Sequence, residues 1–287
     1  MSQSKNLENV KKLREITGVG FKDCKNALDE TNGDLDKSVE YLRKKGIAKA
    51  SKKMSRTAAD GLVLIHQNNN KITALEINSE TDFVAKNKDF IVFCKEVSEI
   101  NHNNKGDLEK TKITKMKNNK TVEESLINLI SKIGEKITLR RSKHFDEKGK
   151  NFYYVHNSLE KNIGKVLSVV KLQYNKEFNA NEIGSKLAMH IAASAPIAID
   201  KEGIKKDILD KELEIIKEEL KNSGKKIEMI DKISQGKLNK FISDNTLLNQ
   251  IWIMDTKKKV KEILQEHSKQ NNLKILDFIR FKVGEGI

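Results

Sequence analysis

Apolar residues recur at helical spacing over the first 46 residues, and this pattern predicts three short helices. The first helix has its apolar positions about one turn apart, at Leu7, Val10, Leu13 and Ile16. We expect it to end at Gly18. Asp34 follows an Asn-Gly turn and is placed to cap the third helix, whose end is predicted at Gly46. The charged stretch over 49–56 is then typical of a helical or extended linker.

Strand-like apolar runs replace the helical period after residue 60. Segments 61–66 and 72–77 are short, apolar and separated by polar residues, so they predict a β-hairpin. The next helix has one apolar face, formed by Phe90, Phe93, Cys94 and Val97. The Asn- and Lys-rich stretch over 101–121 is typical of a loop. Another amphipathic helix follows, Gly134 ends it, and 137–141 predicts a further strand.

A similar order of strands and helices fills the second half of the chain. Segments 152–156 and 165–172 predict a second hairpin, and 278–283 predicts a final strand. Helical patterns cover 180–194, 203–222, 225–242 and 256–269. The second and third of these patterns are joined by a turn at 222–224, so we expect an antiparallel helical hairpin.

The sequence therefore predicts an α+β protein built from several parts. Residues 1–55 form a three-helix stretch, which is either a ubiquitin-associated-like module or part of a larger domain. Two α+β subdomains are predicted over 56–141 and 142–280, the second including the helical hairpin at about 203–235. A C-terminal helix and strand complete the chain over 256–287.

The charge of the chain raises nucleic acid as a partner. The 287 residues include 55 Lys and Arg against 41 Asp and Glu, which gives a net charge of +14. Only six of the basic residues are Arg, the side chain that favours base reading and bidentate phosphate contacts. Lys is interleaved with acidic residues in nearly every predicted helix, as on a solvated surface. We therefore expect no specific nucleic-acid binding, and a basic RNA-binding, translation-associated protein stays as the alternative function.

Motifs of enzymes and of metal sites are missing from the sequence. It contains no phosphate loop, dinucleotide-binding glycine pattern, nucleophile elbow or zinc-protease helix. The six His residues are dispersed, and the two Cys residues, Cys24 and Cys94, fall on apolar helix faces. No apolar run resembles a secretion signal or a membrane span. We expect a cytoplasmic protein that is not an enzyme and needs no cofactor or metal.

One large apolar residue, Phe83, falls between the first hairpin and the next helix, where no core position is predicted. Its neighbour Asp82 places a carboxylate beside the aromatic ring. Two interpretations stay open. Phe83 either packs as a hydrophobic staple at the start of the helix, or forms an exposed wedge.

Two segments are specific enough to indicate a family. They are Glu80-Thr-Asp-Phe-Val-Ala-Lys-Asn87 and Phe278-Ile-Arg-Phe-Lys-Val-Gly-Glu-Gly286. Shorter matches lie at 13–18, 23–28, 32–34, 58–61, 188–193 and 236–241. Together these segments resemble the bacterial elongation factor Ts family, and they follow one another along the chain in the same order as in that family. The resemblance spans essentially the whole chain.

The resemblance implies a nucleotide exchange factor in translation elongation. Such a factor binds elongation factor Tu, both GDP-bound and nucleotide-free, displaces Mg²⁺ and promotes GDP release so that GTP can load. By position, the segment Thr81, Asp82, Phe83 and Val84 would enter the partner and dislocate Mg²⁺. Further partner contacts are implied for Arg14, Val19, Phe21 and His156. The predicted helical hairpin also offers a surface for a homodimer.

Overall fold

The structure is a computed structural model that describes residues 3–17, 19–223 and 227–287. The chain forms two compact units. The first contains Met1–His144, Asn157–Lys165 and Phe281–Ile287, and the second contains Phe145–His156 and Val166–Arg280. The predicted α+β class is confirmed. The division into several parts at the sequence boundaries stays a prediction.

Runs of helices and runs of strands follow one another along the described chain. The helices are α1 (Gln3–Thr17), α2 (Phe21–Glu30), α3 (Leu35–Lys53), α4 (Asp82–Ala85), α5 (Lys88–Asn103), α6 (Leu108–Ile113), α7 (Val122–Ile133), α8 (Asn181–Ser194), α9 (Lys206–Asn222), α10 (Ile227–Asn245) and α11 (Val260–Asn271). The strands are β1 (Asp60–Asn68), β2 (Lys71–Ser79), β3 (Ile137–Phe145), β4 (Lys150–His156), β5 (Ile163–Gly164), β6 (Val166–Gln173) and β7 (Lys274–Lys282). A short 3₁₀ helix covers Lys201–Gly203.

The first unit begins with the three predicted helices, α1 to α3. Their apolar faces share one small core, formed by Val10, Leu13, Cys24, Ala27, Leu28 and Leu42. Asp34 caps α3 as predicted, because its carboxylate accepts the backbone N–H of Lys37 at 3.0 Å. The predicted stop of α1 at Gly18 lies outside the described residues.

Helix α3 is longer than the sequence predicts. It continues through Gly46 to Lys53, so the predicted helix end at Gly46 is wrong. Of the two forms predicted for the stretch over 49–56, the structure shows the helical one as far as Lys53. At Gly46 the helix packs against α7: a Cβ there would lie at an ordinary van der Waals distance, 3.4 Å, from the hydroxyl oxygen of Ser131. Ala50 is buried in the main core of the unit. This packing extends the helix beyond the point at which the local sequence suggests a stop.

A four-stranded sheet in the order β3-β2-β1-β5 forms the centre of the first unit. The predicted hairpin is confirmed: β1 and β2 pair antiparallel, with Leu64 opposite Leu75. The turn has two residues, and Asn69 adopts a left-handed φ of 52° there. The two-residue strand β5 adds to the other edge of β1, with Leu64 opposite Ile163.

Helices α5, α6 and α7 complete the core of this unit. The predicted face of α5 is buried, with Phe90, Phe93, Cys94 and Val97 all in the apolar cluster. The loop predicted over 101–121 is wrong in its middle, where α6 forms. Asp107 caps α6, and the buried hydroxyl of Thr111 donates to the side chain of Asn101 at 3.1 Å. Polar contacts therefore position α6, and apolar periodicity could not reveal it.

The C-terminal turn of the chain is anchored on the same sheet through Glu76, a fully buried acid on β2. The N–H of Gly284 donates to this carboxylate at 2.9 Å, and so do Arg140 at 2.9 Å and Arg141 at 2.5 Å. Gly284 has a φ of +74°, and a Cβ there would lie 2.0 Å from the carbonyl oxygen of Ala59. Glycine is therefore required at this position.

In the second unit, a three-stranded sheet in the order β4-β6-β7 packs against helices. The second predicted hairpin is confirmed, since β4 and β6 pair antiparallel with Tyr153 opposite Val169. Gly184 lets α8 approach the sheet, because a Cβ there would lie 2.4 Å from the ring of Phe152. The core also contains Val170, Leu172, Leu187, Ile191, Leu247, Trp252 and Val260.

Helices α9 and α10 form the predicted antiparallel hairpin. Leu220 clusters with Ile230 near one end, and Leu209 clusters with Phe241 toward the other, so the helices run in opposite directions. The turn predicted at 222–224 extends into residues outside the described ones. Among the helices that the structure describes, none is both long and apolar enough to cross a bilayer.

Candidate functional site

Among the described residues of the first unit, Phe83 is the most exposed large apolar side chain, at 80% of its full accessibility. It lies on α4, a single helical turn between β2 and α5. Its neighbours Val84 and Ala85 are buried in the main core. The staple interpretation of Phe83 is therefore wrong, because the ring points away from the core that its neighbours enter. We call Thr81–Val84 the tip.

Hydrogen bonds fix both ends of the tip. At its start, the hydroxyl of Ser79 donates to the carbonyl of Thr81 at 3.0 Å. At its end, the N–H of Asn87 donates to the carbonyl of Val84 at 2.9 Å. The Asn87 side chain then caps α5 by accepting the N–H of Asp89 at 2.9 Å. The tip is thus held between two regular elements.

Asp82 is paired with a lysine just beyond the tip. Lys86 lies one helical turn later and its ammonium group donates to the Asp82 carboxylate at 2.8 Å. This hydrogen bond from Lys86 holds the pKa of Asp82 below its ordinary value. The Asp82 side chain keeps 46% of its accessibility, so its carboxylate can still reach a partner.

Glu80, the residue just before the tip, is hydrogen-bonded to the loop that joins α7 to β3. Glu80 accepts the backbone N–H of Lys136 at 2.6 Å and a guanidinium N–H of Arg56 at 3.2 Å. Burial by itself raises the pKa of Glu80, but these two donors outweigh it and the pKa lies below its ordinary value. The Lys136 ammonium group donates in turn to the carbonyls of Met54 and Arg56, each at 2.8 Å.

The same loop also holds Thr81 itself. Glu135 accepts the Thr81 hydroxyl at 2.9 Å through Oε1 and the Thr81 N–H at 3.1 Å through Oε2. Sequence reasoning missed Glu135, Glu80 and Lys86 as residues that support the tip. Only Lys86 had a usable signal, its spacing of four residues from Asp82.

The other residues implied by the resemblance lie elsewhere on the chain. Arg14 is exposed on α1, and Phe21 is 46% exposed at the start of α2. Val19 lies between these helices and is partly buried against their core. It therefore supports the packing of the two helices more than it offers a side chain to a partner. His156 is exposed at the end of β4 in the second unit, with its Nδ1 3.2 Å from the Tyr154 hydroxyl.

Three histidines that the sequence disperses come together in the first unit. The ring centroids of His66 and His102 are 4.7 Å apart, and those of His102 and His144 are 5.5 Å apart. The Thr73 hydroxyl lies 2.9 Å from Nδ1 of His102 and 2.7 Å from Nδ1 of His144. Burial, together with the charges of the two neighbouring histidines and of Lys71, lowers the pKa of His102 to about 4. Across the described part of the chain, no His, Cys, Asp or Glu cluster could hold a metal ion.

Comparison with known proteins finds relatives along nearly the whole chain. The family model described as Elongation factor TS matches residues 80–285. The elongation factor Ts of Methylorubrum populi is 40% identical over 283 residues, covering 97% of this chain and 92% of that protein. That of Maricaulis maris is 38% identical over 285 residues, covering 97% and 91%. That of Psychrobacter arcticus is 41% identical over 279 residues, covering 97% and 90%.

The α+β fold and the matched segments define a translation elongation factor. The tip lies at the start of the matched region, directly after residue 80. The chain belongs to the elongation factor Ts family.

Proposed function

We propose that this protein is the nucleotide exchange factor of elongation factor Tu. It binds the GDP-bound partner, displaces Mg²⁺ and promotes GDP release, so that GTP can load during translation elongation. The tip, Thr81–Val84, enters the partner near its nucleotide site. The protein performs no bond chemistry itself, uses no cofactor and acts in the cytoplasm.

The observation that carries the proposal is the exposure of Phe83 on a fixed turn. A Phe ring that is 80% exposed next to two buried residues contributes little to folding, so its apolar surface is available for burial in a partner. Burying such a side chain in a partner is worth about 1.5–3 kcal/mol. Asp82 supplies a carboxylate beside the ring to accept hydrogen bonds from the partner, as the family resemblance implies.

Loss of Mg²⁺ provides the chemical route from this contact to GDP release. Mg²⁺ requires nearly ideal octahedral geometry, so a small shift of its ligands weakens its binding strongly. The diphosphate then loses the cation that neutralises its charge and is held less tightly. Because coupling between two ligands is reciprocal, GDP must weaken binding of the exchange factor by the same ratio.

Additional contacts are needed for a factor that must compete with a tightly bound nucleotide. We propose that Arg14 and Phe21, supported by Val19, contact the partner from the N-terminal helices, and that His156 contacts it from the second unit. A homodimer through the α9–α10 hairpin stays a prediction. Sedimentation of the purified chain over a range of concentrations tests it.

Stopped-flow release of a fluorescent GDP analogue from elongation factor Tu tests the proposed function. We expect the wild-type chain to accelerate release. Phe83→Ala should reduce the rate enhancement of release by about 10–100-fold, the ratio that corresponds to the lost burial energy. The control is Ile113→Ala, which truncates a side chain that is also exposed, at 70%, in the same unit. A wild-type chain without effect on release would refute the function.

The alternative, a basic RNA-binding protein, predicts a different result. Its affinity for RNA would fall steeply as salt concentration rises, because phosphate contacts release counterions. We expect RNA binding to be weak. Tight, strongly salt-dependent RNA binding together with unchanged GDP release would favour the alternative.

A further inference from the structure

Helix α4 is too short to hold its own shape. It has four residues, and an isolated helix shorter than about 12 residues is marginal in water. Thr81 occupies its N-cap position, yet the Thr81 side chain makes no capping hydrogen bond to the helix. The direction in which Phe83 points therefore depends on groups outside the turn.

Glu135 is the group that holds the start of the turn. Its two carboxylate oxygens accept both donors of Thr81: the hydroxyl at 2.9 Å and 3.1 Å and the backbone N–H at 3.1 Å. Hydrogen bonds to an ionised acceptor are about twice as strong as those between neutral groups. The contact spans 54 positions in sequence, so it ties the tip to a distant part of the unit.

The loop that carries Glu135 is itself well anchored. Gly134 adopts a left-handed φ of 88° where α7 ends, and its carbonyl accepts the ammonium group of Lys53. The next residue, Lys136, donates its N–H to Glu80 at 2.6 Å. Glu135 of the loop thus accepts from Thr81, and its neighbour Lys136 donates to Glu80. Each of the two segments supplies one glutamate to the other.

We propose that Glu135 is a positioning residue for the exchange reaction. Its carboxylate fixes Thr81 and so presents Phe83 in one orientation before the partner is met. A preorganised turn loses less conformational freedom on binding than a mobile one. This inference rests on the proposed function for its kinetic consequence, whereas the order of the tip can be measured without any partner.

Hydrogen exchange of the purified chain tests the positioning directly. Glu135→Gln preserves the size of the side chain but offers one acceptor where the carboxylate offers two, and Glu135→Ala removes both. We expect the hydrogen-bonded amides at the two ends of the tip, those of Thr81, Lys86 and Asn87, to exchange at least about tenfold faster in Glu135→Ala, with a smaller increase in Glu135→Gln. The control is Glu123→Gln, the same charge change on an exposed side chain of α7. Unchanged protection of the tip in both Glu135 variants would overturn the inference.

A double-mutant cycle with Phe83→Ala separates positioning from a direct contact. If Glu135 acts through the tip, Glu135→Ala slows GDP release about tenfold in the wild-type background and adds little when Phe83 is already truncated. Equal effects in both backgrounds would show that Glu135 acts independently of Phe83, and the inference would fail. A wild-type chain that does not accelerate release would refute the proposed function instead, and the hydrogen-exchange result would still decide the positioning.

Discussion

Replacing Glu76 should loosen the C-terminal turn of the first unit and destabilise the sheet beneath it. The Glu76 carboxylate is fully buried and accepts four donors, two of which are the guanidinium groups of Arg140 and Arg141. The other two are the N–H of Gly284 at 2.9 Å and the side-chain amide of Asn78 at 3.0 Å. These contacts join β2, β3 and the end of the chain.

The expected loss follows from the burial of this network. Removing one partner from a buried ion pair costs about 3–5 kcal/mol, since the remaining charge stays desolvated. The side chains of Arg140 and Arg141 are 21% and 31% exposed, so water can replace part of what they lose. We therefore expect about 3 kcal/mol for Glu76→Ala, the low end of that range. Glu76→Gln keeps one carbonyl acceptor and should cost about 1.5–3 kcal/mol.

Urea unfolding followed by circular dichroism measures this loss, and hydrogen exchange shows where it occurs. We expect faster exchange in β2 and at 282–287. Trp252 is the only Trp of the chain and is buried in the core of the second unit, so its fluorescence follows that unit separately. The control is Glu109→Gln, which breaks a surface pair with Lys112 and should cost less than about 1 kcal/mol.

The dependence of stability on pH should also report on the Glu76 carboxylate. Burial by itself raises the pKa of Glu76, but the hydrogen bonds from Gly284, Asn78 and the two arginines outweigh it and the pKa lies below its ordinary value. Such a group stabilises the native state above the unfolded pKa of about 4.3, and its contribution is lost as pH falls through the native pKa. The wild-type chain should therefore lose stability below about pH 4.3 more steeply than Glu76→Gln. A Glu76→Gln variant within about 0.5 kcal/mol of wild type at pH 7 would refute this account of the turn.

Three further predictions concern stability. Gly184→Ala should destabilise the second unit by about 1–3 kcal/mol, because the new Cβ would lie 2.4 Å from the ring of Phe152. Gly236→Ala has open space at its Cβ and should stabilise α10 by about 0.5–1 kcal/mol. Opposite shifts of the Trp fluorescence midpoint in urea would confirm the pair, and equal shifts would contradict it. The pKa of His102, about 4 in the native state against 6.5 for an ordinary histidine, means that the unfolded chain binds the extra proton first. The free energy of unfolding should thus decrease by up to about 3 kcal/mol as pH falls from 6.5 to 4. Its slope against pH should be flatter in His102→Asn, and an unchanged slope would contradict this prediction. Phe83→Ala should change stability by less than about 0.5 kcal/mol, since the ring is 80% exposed, and a larger loss would mean that the ring supports the fold.

Local patterns predicted the elements that are stabilised locally and missed those that depend on distant contacts. The β1–β2 hairpin has apolar strands and a two-residue turn, and the helix face that includes Phe90 repeats with helical period, so both could be predicted. Strand β5 has two residues and exists only through its pairing with β1. Helix α3 passes Gly46 because it packs on α7, and α6 is positioned by polar contacts such as that of Thr111.

The candidate site divides in the same way. An aromatic residue in a connection without a core position marked Phe83 from sequence, although the choice between a staple and a wedge required the buried positions of Val84 and Ala85. Glu135 could not be found, because its contact with Thr81, 54 positions earlier in sequence, arises only in the folded unit, where β3 joins the sheet.

The proposed wedge role of Phe83 poses a specific problem of stability, and the tip shows one physical solution to it. Phe83 contributes little to folding the turn that carries it, because its ring is 80% exposed. The turn therefore needs other sources of order. Val84 and Ala85 supply apolar burial on one side, and the carboxylate of Glu135 supplies charge-assisted hydrogen bonds at the start. Since each residue ordered on binding costs about 1–2 kcal/mol of backbone entropy, a four-residue turn that is already ordered retains binding energy that a mobile one would lose. The support for the wedge is thus as much a part of the proposed exchange activity as the aromatic ring.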